Sequence, residues 1–136
     1  MYQKSALTKD DAFEILRAAE AEAQKNAWKV SIAVCDDGGY LLAFSRLDGA
    51  HLATPLTAQA KARTAAVMRR ETKGVEDMIN QGRTAFLSVP GGEGLLEGGV
   101  PIMVDGQCVG AVGVSGVKSD QDAQVAKAGI AALRLG

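Results

Sequence analysis

The chain has 136 residues, 47% of them hydrophobic and 23% charged, with 15 basic against 16 acidic side chains. That composition fits one globular domain over residues 1–136, and a formal net charge of −1 withholds the positive footprint of a nucleic-acid binder. No stretch reaches the roughly 18 consecutive apolar residues of a membrane span, and one histidine with two distant cysteines cannot by themselves complete a structural zinc site.

Residues 1–7 carry one positive charge and no apolar core of signal-peptide length, which predicts a cytoplasmic protein. Thr8 and Asp11 have the spacing of a capping box, and Ala12, Ile15, Leu16, Ala19 and Ala23 follow at helical intervals, predicting a helix over about residues 9–26. The β-branched run 30–35, the turn Asp36-Asp37-Gly38-Gly39 and the apolar run 40–44 read as a hairpin. Thr54 reads as the cap of a second helix with Pro55 at its first position, running to about residue 70. Residues 72–82 form a shorter helix with Val75, Met78 and Ile79 on one side, and Pro90-Gly91-Gly92-Glu93-Gly94 is a loop. Runs 100–104 and 108–114 flank Asp105-Gly106, a second hairpin signal. Ser119 followed by Asp122 opens the last helix, whose stripe is Val125, Ala126, Gly129, Ile130 and Leu133. Hairpins separated by helices imply antiparallel pairing, so the expected fold class is α/β (α+β), a sandwich of about five mostly antiparallel strands covered by helices.

Cys35 and Cys108 lie in apolar runs and read as buried thiols. Gly110-Ala111-Val112-Gly113-Val114-Ser115-Gly116 precedes a helix but places its glycines inside a strand and lacks a Gly-Lys-Ser/Thr run, so it is no phosphate loop of a known pattern. Its glycines either let an alanine-rich helix approach the strand, or leave Ser115, Gly116 and the following helix start to meet an anionic or carbonyl group. Asp48 and Gly49 form a turn in which Asp48 caps backbone donors or faces a ligand. His51 is a loop residue or a general base. Lys61 and Thr64 share a face of the second helix, and the alanines around Lys61 point to its partial burial against a carboxylate or ligand. Arg63, Arg69 and Arg70 read as a solvated or subunit-contacting face, and Asp120 with Asp122 as helix-start charges favoured by the macrodipole. Gly98 and Gly99 before Pro101 set a constrained lead-in to a strand, which can lie against a bound molecule.

Taken in order, Asp36-Asp37-Gly38-Gly39, Arg46-Leu47-Asp48-Gly49-Ala50, Lys61-Ala62-Arg63-Thr64-Ala65, Gly98-Gly99-Val100-Pro101-Ile102 and the glycine-rich run 110–116 with Gln121-Asp122 resemble the GlcG/HbpS-like family. The resemblance runs from about Leu7 to Leu133. It implies a profilin-like α/β/α sandwich with a five-stranded antiparallel sheet, and homo-oligomers from dimer to octamer. The family includes haem-binding proteins and the C-terminal accessory domain of a corrinoid adenosyltransferase, so the resemblance implies haem as the cofactor to test. Haem-binding relatives use histidines near the N-terminus, whereas this chain has none before His51 and carries Tyr40 where the family often has His. Iron donors compatible with this sequence are then Tyr40 as phenolate or His51 from a neighbouring subunit.

Three functional readings follow. The first is a binding protein for a small carboxylate metabolite or a tetrapyrrole, with Asp48, Gly49, Lys61, Thr64, Gly98, Gly99, Ser115 and Gly116 as ligand-binding residues and Lys61 paired with a ligand carboxylate or with Asp48. The second is an enzyme acting on a small oxygenated or aromatic acid, with Lys61 or His51 as general base. The third is an oligomerising accessory protein built through its glycine and alanine faces.

Overall fold

The computed structural model describes residues 1–133. Helix α1 (Lys9–Lys25) starts at the expected capping box: the Asp11 N–H donates to Thr8 Oγ1 at 3.1 Å and the Thr8 N–H donates to Asp11 Oδ2 at 3.0 Å. Strands β1 (Ser31–Asp36) and β2 (Leu41–Arg46) make the first hairpin. Its turn is held by Asp36, whose Oδ1 accepts the N–H groups of Gly38 and Tyr40, both at 2.9 Å. Helix α2 (Thr54–Met68), helix α3 (Thr72–Asn80) and a short 3-10 turn (Thr84–Ser88) follow. Strands β3 (Gly99–Val104) and β4 (Gln107–Ser115) form the second hairpin, and helix α4 (Ser119–Ala131) comes last.

The sheet has four strands in the order β2-β1-β4-β3, every pair antiparallel, and not the five expected. Between α3 and β3 no strand forms. There the chain tightens into the 3-10 turn, and Gly91, Gly94 and Gly98 take φ values of +80°, +58° and +132°, which break any extended run long enough to pair.

Alternation along β1 separates two cores. Ile32 and Val34, with Val112 and Val114 of β4, meet Ile15, Leu16 and Ala19 of α1 and Val125 and Ala126 of α4. Each such isoleucine or valine contributes about 1.5–3 kcal/mol by leaving water. On the other face Ala33, Cys35 and Ala111 meet Ala58, Ala62, Ala65 and Ala66 of α2. Small residues on both sides bring α2 into backbone contact with β4: a Cβ at Gly113 would lie 2.1 Å from the Ala58 carbonyl oxygen and 2.4 Å from the Ala62 nitrogen. The close-approach reading of the strand glycines is therefore correct for Gly113. Helices thus flank a single antiparallel sheet.

Two helix starts differ from expectation. Ala53 occupies the cap of α2 with no side-chain hydrogen bond, because the Thr54 hydroxyl is turned inward, donating to the His51 carbonyl at 2.8 Å and lying 2.9 Å from Ser31 Oγ. At α4 the cap is Lys118, whose N–H donates to Gln121 Oε1 at 3.3 Å, which leaves Asp122 free to point into the protein. Both cysteines are buried and unpaired, as expected, and burial pushes the Cys35 thiol up to about 12.

Candidate functional site

The alanine face of α2 carries Lys61 under the sheet, where its side chain is only 3% exposed. Its ammonium donates to the Val114 carbonyl at 2.9 Å and to Asp122 Oδ2 at 3.2 Å. The other carboxylate oxygen, Asp122 Oδ1, accepts the Val117 N–H at 3.1 Å. Burial pushes the Asp122 carboxyl above its ordinary range, while the Lys61 charge and the backbone donors of Val117 and Gly116 pull it back. Gly98 closes over the pair, since a Cβ there would sit 2.8 Å from Lys61 Nζ and 3.1 Å from Asp122 Cβ. Nearby, the Gly99 N–H donates to Thr72 Oγ1 at 2.9 Å, and Thr64 Oγ1 accepts the Glu93 N–H at 3.2 Å while donating to the Glu93 carbonyl.

Lys61, Gly98, Gly99 and Gly116 therefore do converge, with the buried Ser115 at the end of the same strand and Thr64 one turn along α2. They form a sealed polar knot that ties α2 to α4. Lys61 pairs with Asp122 and not with Asp48, and Asp122, expected as a helix-start charge favoured by the macrodipole, is in the first turn of α4 and is also a buried counter-ion. A lysine already bonded to a carbonyl and a carboxylate has no free lone pair to take a proton from substrate.

Asp48 and Gly49 lie elsewhere. Asp48 lines a separate hollow of about 480 Å³ with Trp28, Lys29 and Arg46. Gly49, at φ +90°, packs beside the Lys29 stem. His51 is exposed on the turn before α2, where its carbonyl accepts the Thr54 hydroxyl.

A second hollow was not foreseen from the sequence. It measures about 370 Å³, within the range of small-molecule sites, and lies between α2 and the β1–β2 turn, lined by Tyr40, Leu41, Leu56, Gln59, Arg63 and Glu93 with Cys35 at its floor. The Arg63 guanidinium stands 5.6 Å from the centre of the Tyr40 ring, within cation–π range. Gly39 makes this placement feasible: it sits at φ +87°, and a Cβ there would come within 2.7 Å of Arg63 Cγ. Among the described residues Arg63 has no carboxylate partner within salt-bridge distance. The signal available in the sequence was Leu56 and Arg63, two turns apart on the helix face opposite the alanines, facing a Gly-Gly-Tyr turn. A solvated arginine face accounts for the same residues until the fold brings that turn alongside.

Among the described residues no group of three or more His, Cys, Asp or Glu is placed to hold a metal ion, and no helix is long and apolar enough to cross a membrane.

Comparison with known proteins matches residues 7–131 to the family described as "Haem degrading protein HbpS-like". Protein GlcG of Escherichia coli strain K12 is 57% identical over 115 residues, covering 85% of each chain. Among solved structures, a double mutant of Streptomyces reticuli HbpS superposes with a TM-score of 0.89 at 34% identity, covering 99% of this chain and 92% of that one. PduOC in complex with haem superposes with a TM-score of 0.88 at 29% identity, covering 97% of this chain and 98% of that one.

Proposed function

Because the chain belongs to the GlcG/HbpS-like family, we propose that it is a small ligand-binding protein whose ligand is haem, held in the hollow between α2 and the β1–β2 turn. The observation that carries this reading is Arg63, a guanidinium without a carboxylate partner among the described residues, at a hollow whose wall also includes Leu41 and Leu56. Haem asks for that pair of features: an apolar macrocycle wants aliphatic walls, and its propionates want a cation able to donate two parallel hydrogen bonds. A family neighbour captured with haem supports the same ligand class.

A small carboxylate metabolite would use Arg63 but leave the aliphatic wall unfilled, so a 2-hydroxy acid is the natural competitor in the test. The general-base readings have less support, since Lys61 is sealed in the knot and His51 does not line the hollow. Titrating haemin into the full chain should give a saturable Soret shift, weakened about tenfold by Arg63→Ala, the weight of one charge-assisted hydrogen bond. A shift absent at protein excess, or a 2-hydroxy acid that binds while haemin does not, would contradict the haem assignment.

Assembly into a homo-oligomer belongs to the same proposal. Leu52, on the turn before α2, is 82% exposed, an apolar side chain that a second copy would cover. Light scattering should report more than one chain per particle, and a monomer at micromolar concentration would remove that part of the proposal.

A further inference from the structure

A sheet edge presents backbone donors and acceptors to any strand that can reach them, and folded proteins commonly blunt such edges. The edges of this sheet, β3 and β2, are treated differently. Along β3 the Val114 N–H donates to the Gly98 carbonyl, so alternation turns the backbone groups of Gly99 and Pro101 outward. Both positions are blunted. Thr72 Oγ1 accepts the Gly99 N–H at 2.9 Å and lies 3.4 Å from the Gly99 carbonyl oxygen, and Pro101 has no N–H to offer. Along β2 the Leu47 N–H donates to the Val30 carbonyl at 2.9 Å, so Ala43 and Ser45 bond towards β1 while Phe44 and Arg46 turn their N–H and C=O groups away from it. Among the described residues neither has a backbone partner on that outer side. A register irregularity at the Leu41–Ala43 end of β2 leaves residues 43–46 as the regular stretch of open edge.

Resting on the assembly reading above, we infer that β2 pairs antiparallel with β2 of a second copy about a twofold axis at Ser45, joining the two sheets into one. A twofold contact is self-complementary, and the residue types of β2 select its register. With the axis at Ser45, Phe44 exchanges N–H to C=O bonds with Arg46 of the second copy, and Arg46 does the same with Phe44 of the second copy. Every outward backbone group of the regular stretch is then used. Phe44 and Arg46 are two apart and share a face, so this register also sets each guanidinium beside the other copy's ring. Arg46 is already steadied for that contact, since its Nε and Nη2 donate to the Ala50 carbonyl at 3.2 and 3.0 Å. On the opposite face Ser45 meets its own image, a side chain small enough for the close approach of such a pair. An axis at Arg46 would oppose like charges, and an axis at Phe44 would call on Leu42 in the irregular stretch. A second copy fits this edge better than an unrelated strand, because one short segment supplies both the aromatic ring and its cation.

The test places Ser45→Cys in the full chain, oxidises it with copper phenanthroline and compares it with wild type and with Ser88→Cys, an exposed serine on the 3-10 turn. Residues directly opposed in a non-hydrogen-bonded pair stand about 4.5 Å apart at Cα, within disulfide reach. Pairing holds the two thiols at high effective concentration, so Ser45→Cys should form covalent dimers about tenfold faster than Ser88→Cys or more. Wild type should form none, since Cys35 and Cys108 are buried. A second variant reads the backbone: Arg46→Pro removes an outward N–H and leaves the ladder to β1 intact. In analytical ultracentrifugation it should weaken assembly about tenfold or more with unchanged far-UV circular dichroism, whereas Arg46→Lys, which keeps the N–H and the charge, should stay within about threefold of wild type. Crosslinking of Ser45→Cys no faster than that of Ser88→Cys, or an Arg46→Pro chain that assembles as tightly as wild type, would overturn the inference while the assembly reading stands. A wild type that is monomeric at micromolar concentration would overturn both.

Discussion

Lys61 and Asp122 are each 3% exposed, so each depends on the other for its charge to be tolerated inside the protein. Removing one partner is therefore worse than removing both. Lys61→Met should lower unfolding free energy by about 3–5 kcal/mol in urea titration, while Lys61→Met combined with Asp122→Leu should recover most of it. A double variant as unstable as the single one would mean that the pair does not act as a unit. The pH dependence follows from Asp122. Burial raises its folded value above the ordinary 3.8, so its contribution to stability is present below 3.8 and is lost as pH rises through the folded value. Lys61 restrains that rise, so the deficit of Lys61→Met should be larger at about pH 7 than at about pH 4. The burial of Lys61 was legible from its alanine neighbours. Its partner was not, because a carboxylate at a helix start already has a local electrostatic explanation, and only the sheet's topology brings α4 to α2.

At the scale of elements, the hairpins were legible because turn chemistry is local: Asp36 bonds its own turn, and Asp105-Gly106 needs no distant residue. The expected fifth strand does not form, because the chain between α3 and β3 tightens into a 3-10 turn and the positive φ values of the glycines that follow become visible only in the folded backbone. Gly113 shows how tightly two elements can be bound to each other's composition. Gly113→Ala would push a methyl into the Ala58 carbonyl, and since backbone of a packed helix cannot give way, the melt should show a loss of about 1–3 kcal/mol. A neutral Gly113→Ala would mean that α2 stands farther from β4 than described. Gly39→Ala belongs to the turn and the helix together. It strains a residue at φ +87° and collides with the Arg63 stem, so it should cost about 1 kcal/mol of stability and also weaken haemin binding. Unchanged haemin affinity in a destabilised Gly39→Ala would separate the turn from the site.

Across the whole molecule, the small residues divide the labour. The α1/α4 face holds the bulky aliphatic core, while the α2 face is thin, alanine-lined and carries the hollow on its outer side. That division explains why the sequence pointed to Lys61, Gly98 and Ser115 for binding: unusual residues in small-residue surroundings mark both a pocket and a tight seam, and here they mark the seam. The hollow instead draws on ordinary surface residues from a turn and a helix that are neighbours only after folding. The central claim is that this hollow takes haem, and absorbance titration of haemin into the full chain tests it most directly, with Arg63→Ala measured alongside. The account predicts a saturable Soret shift at one haem per chain that weakens in the variant. A haemin spectrum identical in buffer and in excess protein, or one shifted equally by wild type and Arg63→Ala, would contradict it.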